Sequence, residues 1–274
     1  MPISSTSSLV DSHCHLNFDV FDHDRDLIVE RARNNGITRI VNPGVDIETS
    51  ASALHYTRIY PEVFAAVGIH PNSGSTWSKA SLLELHAMLC EEKVVAVGEI
   101  GLDYYRHQCP RDLQISIFKQ QLGLAAELGV PVIVHNREAA SDILEILSKW
   151  HQELVVNGSA LQDCPGVVHS FSGDGAFATQ LVALNFKLGI NGPVTFNNSQ
   201  MLQSVVTAIP VESLLVETDA PFLSPQPYRG KRNEPANVRI VAEKIAQLKD
   251  EQLDSVAKIT TAEADRLFRW REIH

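Results

Sequence analysis

Val94-Val95-Ala96-Val97-Gly98-Glu99 is a short, β-branched apolar run that ends abruptly in a carboxylate. Four apolar residues are too few for a helix and suit a strand buried on both faces, as in a parallel sheet covered by helices. Seven further runs have the same character: Leu9-Val10, Arg39 to Val41, Val63 to Val67, Pro131 to Val134, Gly166 to Val168, Phe186 to Ile190 and Ser213 to Val216. Between them lie stretches with helical spacing, at Asp24 to Asn34, Leu82 to Cys90, Leu113 to Leu128, Ala139 to Trp150 and Ala176 to Leu184, and Asn237 to Leu248 follows the last strand. Strand and helix in alternation imply a parallel sheet. Eight repeats in 274 residues favour closure into a single (β/α)8 TIM-type barrel over an open doubly wound sheet. The stretch from Gln152 to Pro165 reads as a long loop before strand six.

Composition sets the outer limits. A chain that is 44% hydrophobic can bury one full-sized core, and residues 9–274 are expected to form a single domain. Met1 to Ser8 is small and polar and reads as a disordered lead-in, without the basic stretch and apolar core of a secretory signal. The apolar runs are far shorter than the roughly 18 residues that span a bilayer, so no membrane association is expected. Four cysteines without a C-x-x-C pair point to a reducing, cytoplasmic setting. The formal charge of −10 excludes a broad electrostatic grip on a polyanion, although bound divalent cations would offset carboxylates locally. Nothing identifies a partner protein.

The chemistry sits where the strands stop. His13 and His15 follow Leu9-Val10 and, on an extended chain, share a face, which lets both imidazoles reach one ion. Taken alone, such a pair is more often a packed or solvated pair of histidines. Four other strand candidates also end in ligand-type residues, at Glu99, His135, His169 and Asp219. In a parallel barrel the C-terminal strand ends converge, so four histidines and two carboxylates form a shell for two divalent metal ions. Imidazole favours zinc or another transition metal, and carboxylates are able to bridge. Ions held there activate water toward an electrophilic centre. Asp219 is placed to touch metal and to handle a proton.

The segments Asp11-Ser12-His13-Cys14-His15-Leu16, Gly68-Ile69-His70-Pro71, Gly98-Glu99-Ile100-Gly101-Leu102-Asp103-Tyr104, Pro131 to His135, His169-Ser170-Phe171-Ser172-Gly173 and Glu217-Thr218-Asp219-Ala220-Pro221 together resemble the TatD family of metal-dependent deoxyribonucleases, within the amidohydrolase-type barrels. The resemblance implies that His13 and His15 bind one metal, that Glu99 bridges, that His135 and His169 bind the second, and that Asp219 completes the first site and serves proton transfer. Glu99 and Asp219 are thereby the catalytic carboxylates. It also implies zinc, magnesium or manganese as the ion, and phosphodiester hydrolysis of DNA or RNA ends or short oligonucleotides, commonly from the 3′ end. Asn17 departs from the Asp that many relatives place after the H-x-H-L segment.

Substrate-binding candidates are His70, Asp103 and the run Tyr228-Arg229-Gly230-Lys231-Arg232, which sets three cations beside an aromatic ring. Arg106, Glu217 and again Asp103 are candidates for orienting ligands. Two other functions stay open: a same-fold hydrolase of a small ester, amide or lactone, and a non-catalytic metal-binding protein. Glu99, in place of a bridging lysine, weighs toward the nuclease.

Overall fold

The structure, a computed structural model, describes residues 7–270. Eight strands alternate with helices along the chain. They run β1 (Leu9–Asp11), α1 (Arg25–Asn34), β2 (Ile37–Pro43), α2 (Ile47–Ile59), β3 (Val63–Val67), α3 (Lys79–Leu89), β4 (Val94–Asp103), α4 (Arg111–Leu128), β5 (Val132–Arg137), α5 (Ala140–Val156), β6 (Gly166–Val168), α6 (Gly175–Ala183), β7 (Lys187–Ile190), α7 (Gln200–Ala208), β8 (Leu214–Val216), α8 (Val238–Lys249) and α9 (Leu253–Phe268). Neighbouring strands pair in parallel and in chain order. The seam between β8 and β1 is drawn together by Ser12 N–H donating to the Val216 carbonyl at 3.1 Å and by a parallel bridge of Cys14 with Ala220. This is a TIM (β/α)8 barrel.

Side-chain alternation separates two apolar layers. Leu9, Val63, Ala65, Val132, Val134, Val168 and Leu214 pack in the cluster that contains the helices. Their neighbours Val10, Phe64, Ala66, Ile133, Val167 and Leu215 belong to a smaller cluster inside the barrel. That inner cluster also takes in Ala264, Leu267 and Phe268, so α9 stoppers the N-terminal end of the barrel. The opposite end is left for polar groups. His135 lies two residues beyond Ile133, His169 two beyond Val167 and Glu217 two beyond Leu215, and each therefore continues the inward face of its strand.

Three helices have no counterpart in the sequence reading, α2, α7 and α9. Helix α2 buries only small or polar side chains, Ser50, Ala53 and Thr57, so its apolar stripe is faint; a capping box between Asp46 and Thr49 starts it. The stretch expected to be a long loop is shorter. Helix α5 continues to Val156 because Leu154 extends the buried stripe of Ile143, Ile146, Leu147 and Trp150, and Ala160–Asp163 forms a 3-10 turn. Of the expected lead-in, residues 1–6 lie outside the described residues, whereas Ser8 pairs with Thr38 and its carbonyl accepts from Thr261.

Candidate metal centre

Glu99 stands at the middle of the polar end of the barrel, 3% exposed, on β4. Its two oxygens face different partners. Oε2 lies 3.4 Å from His13 Nε2 and 3.6 Å from His15 Nε2, while Oε1 lies 2.7 Å from His135 Nδ1 and 2.8 Å from His169 Nε2. Asp219 Oδ1 completes the first group at 3.8 Å from His13 Nε2 and 3.6 Å from His15 Nε2. The two imidazole nitrogens of each group are 3.3 Å apart. Donors bound to a common ion at roughly 2.0 to 2.2 Å with tetrahedral angles stand about 3.3 to 3.6 Å from one another; the edges around His13 and His15 come close to that spacing, whereas His135 and His169 lie at direct hydrogen-bond distance from Glu99 Oε1. Three overlapping triads have all donor atoms within 4.8 Å: His13, His15 and Asp219; His13, Glu99 and His169; His70, Glu99 and His135.

Three of these groups are held in the form that a metal ligand takes. Burial, reinforced by the His169 charge, lowers His13 to about 4, which leaves its imidazole neutral at pH 7. Burial by itself would raise Glu99, but His169 and His70 together with hydrogen bonds from His13 and His135 outweigh it and hold the carboxylate well below its ordinary range. For Asp219 the bond from His15 and the neighbouring histidine charges likewise overcome burial and keep it ionised. Glu217 is the opposite case. Fully buried, and close to Asp219, Asp11 and Glu99, it is pushed well above the usual carboxyl range despite the Ser170 amide that it accepts at 2.6 Å.

Around these groups lies a supporting layer. Asp103 Oδ2 takes bonds from His135 Nε2 at 3.3 Å and Asn72 Nδ2 at 3.0 Å, and its Oδ1 accepts the amides of Tyr105 and Arg106. His135 is thus clasped between two carboxylates, which lift it to about 9 against the effect of burial. Glu217 Oε1 is 3.8 Å from His169 Nδ1, and a Cβ on Gly189 would meet Glu217 Oε2 at 2.3 Å, so a residue without a side chain is needed behind it. Asp11 fixes the turn that carries Asp219, accepting from the Thr218 amide at 2.9 Å and its hydroxyl at 2.6 Å.

His70 comes to the same cavity, with Nε2 3.5 Å from Glu99 Oε1. Its Nδ1 accepts the Asn72 amide at 3.0 Å, so the neutral ring carries its proton on Nε2 and points a donor, not a lone pair, at the centre. The structure thus brings together all six predicted ligands and His70. It uses Asp103 to hold His135. The Tyr228 to Arg232 run is elsewhere: Arg232 is tied to Asp24 and the Val20 carbonyl, Arg229 covers the Phe196 ring and Lys231 lies over Tyr228, and none lines the cavity of about 790 Å³ above the ligands. Instead that cavity is lined by Arg106 and Arg137, and by Phe18, Phe222 and Leu223. Of these, Arg106 was foreseen only as an orienting group. The position of Arg137, two residues past His135 on an inward-facing strand end, is the signal that points to it. Asn17 sits aside, its side chain donating to the Thr49 carbonyl.

A family profile described as TatD related DNase matches residues 10–269. The chain belongs to this family. At that level it is a metal-dependent hydrolase, and its relatives span the whole barrel. It is 41% identical over 261 residues, covering 95% of this chain and 99% of the relative, to the "uncharacterized metal-dependent hydrolase YabD" of Bacillus subtilis. To the "3'-5' ssDNA/RNA exonuclease TatD" of Cronobacter sakazakii it is 36% identical over 254 residues, 90% of this chain and 93% of the other. Among solved structures, the TatD homologue YJJV of Escherichia coli superposes with a TM-score of 0.87 at 31% identity, over 95% of this TatD family member and 98% of the other chain. Among the described residues no helix is long and apolar enough to cross a membrane.

Proposed function

We propose that this protein is a two-metal phosphodiesterase that trims DNA or RNA ends or short oligonucleotides, in the manner of a 3′-5′ exonuclease. The observation that carries the reading is the division of Glu99, one oxygen toward His13 and His15 and the other toward His135 and His169. A carboxylate so placed would be able to serve two ions at once, and Asp219 would complete the first set. The Cronobacter relative, named as an exonuclease on single-stranded DNA and RNA, supports the choice of substrate.

When bound, divalent ions such as zinc, magnesium or manganese would polarise a phosphoryl oxygen and make water acidic near neutral pH. The protein supplies the rest. Asp219, ionised and bordering the cavity, takes the proton of the attacking water and can return it to the leaving oxygen. His70, with its proton on Nε2, donates to a phosphoryl oxygen as negative charge grows there. Asp103 and Glu217 hold His135 and His169 in the orientation their donors require.

The deciding experiment follows 3′- and 5′-labelled single-stranded oligonucleotides with chelator-stripped protein, to which magnesium, manganese or zinc is restored, beside Asp219→Asn. Metal-dependent shortening from the 3′ end that the variant loses by about 100-fold or more is the expected result. Intact oligonucleotides with every metal, together with turnover of carbonyl esters or lactones, would replace this reading with that of a small-molecule hydrolase.

A further inference from the structure

The mouth above the ligands has two chemically opposite sides. Residues following β1 and β8 furnish the apolar one. Phe222 is 50% exposed and Leu223 38% exposed. Phe18 stacks on His15 with centroids 4.6 Å apart and planes 19° apart, and meets Phe222 edge-on at 6.1 Å and 77°. The loop bearing Phe222 is pressed tightly onto the turn after β7, where a Cβ on Gly192 would come within 1.8 Å of the Leu223 carbonyl oxygen. A half-exposed ring on so tightly seated a loop is a platform that needs little ordering before it stacks.

On the other side, the turn after β4 presents Arg106 and the end of β5 presents Arg137. Arg25, Arg31, Arg33, Arg39, Arg232 and Arg239 each pair with a carboxylate. Arg106 and Arg137 have no acidic partner among the described residues, and Arg137 lies over the Tyr105 ring at 4.0 Å. In a chain of net charge −10, two unneutralised guanidiniums at the rim of one cavity are a local anion site. In barrel order β1 and β8 adjoin, and β4 and β5 lie across from them.

We propose that this mouth is a strand-end subsite in which Phe222, backed by Phe18, stacks the base of the terminal nucleotide while Arg137 and Arg106 hold the phosphate of the next one. The proposal rests on the phosphodiesterase reading above. It adds the groups that favour single-stranded over duplex substrate: a base must leave its duplex stack to lie on Phe222, and the arginines grip any sequence alike. The aromatic side follows β8 and β1 and the cationic side β4 and β5, so the two nucleotides that flank one phosphodiester would meet different groups.

The test is equilibrium binding of a fluorescent single-stranded oligonucleotide, made uncleavable by terminal phosphorothioates, to magnesium-loaded protein. With the wild type, replacing the two nucleotides at each end by abasic residues weakens binding roughly 5- to 150-fold, the loss of a stacked base. Phe222→Ala binds the normal oligonucleotide as weakly as the wild type binds the abasic one, and shows little further loss on the abasic one. The double variant Arg106→Ala, Arg137→Ala lowers the slope of log K against log salt by about 0.7, the value for one phosphate on a single strand. Equal binding of normal and abasic ends by the wild type overturns the stacking half, and an unchanged salt slope overturns the phosphate half. Hydrolysis of methyl p-nitrophenyl phosphate by the wild type separates the two levels. If neither it nor any oligonucleotide is cleaved, the phosphodiesterase reading has failed; if it is cleaved while base and arginines make no difference, only the subsite has.

Discussion

Asp103 shows how a residue outside the ligand set governs the set. Its carboxylate is 1% exposed and spends its acceptors on His135 Nε2, Asn72 and two backbone amides, so it fixes which face His135 turns to Glu99. Asp103→Asn keeps the size and loses the charge that holds His135 protonated on Nε2. Metal affinity, read by competition with a chromogenic chelator, is expected to fall 10- to 100-fold with the fold intact. An unchanged affinity would mean that His135 is held by packing alone. The six ligand candidates were legible in the sequence because they follow five apolar strand runs, and convergence of strand ends turns five weak signals into one. Residues on loops were harder to read. The cationic run at Tyr228 to Arg232 attracts attention by composition, yet Arg232 is drawn to Asp24 and Arg229 to Phe196. Arg106 and Arg137 carry no local motif, and only the barrel sets them on the same rim.

At the scale of elements, the strands were readable to within a few residues because they are buried on both faces and hence uniformly apolar. Strand β4 is the longest departure, running on to Asp103 where the apolar run stops at Val97. Helices with a strong apolar stripe, such as α5 and α8, were likewise visible. Helix α2 hides because small and polar side chains pack it, whereas α9 has a buried stripe of its own and packs both on α8 and on the floor of the barrel at β1 and β8. The role of α9 gives a test. Phe268 is 3% exposed and joins the inner cluster with Leu215, Val10 and Leu267. Phe268→Ala is expected to cost about 3 to 5 kcal/mol in denaturant unfolding through the cavity it opens. The ligands lie at the far end of the strands, so metal affinity at a temperature where the variant is folded should stay near that of the wild type. A large loss of affinity would show that the two ends of the barrel are coupled.

For the whole molecule, the metal centre is a concentration of like charge inside an already acidic chain. Asp11, Glu99, Glu217 and Asp219 are all at most 9% exposed, offset by the neighbouring histidines and by bonds from Thr218 and Ser170. Pushing Glu217 toward its neutral form is one way the fold relieves that repulsion, and binding divalent cations is the stronger one. Metal should therefore act as a folding ligand as well as a reagent. At a free concentration 100 times the dissociation constant, an ion that binds only the native state adds about 2.7 kcal/mol, which in a chain of this length raises the melting temperature by roughly 5 °C. The comparison is thermal unfolding in chelator and in magnesium, manganese or zinc, for the wild type and for Glu99→Gln. Removing the shared carboxylate should shrink the shift to less than half, because it weakens both ligand groups together. A shift of the same size in Glu99→Gln would place the stabilising ions elsewhere on the acidic surface and remove the argument that Glu99 joins two sites.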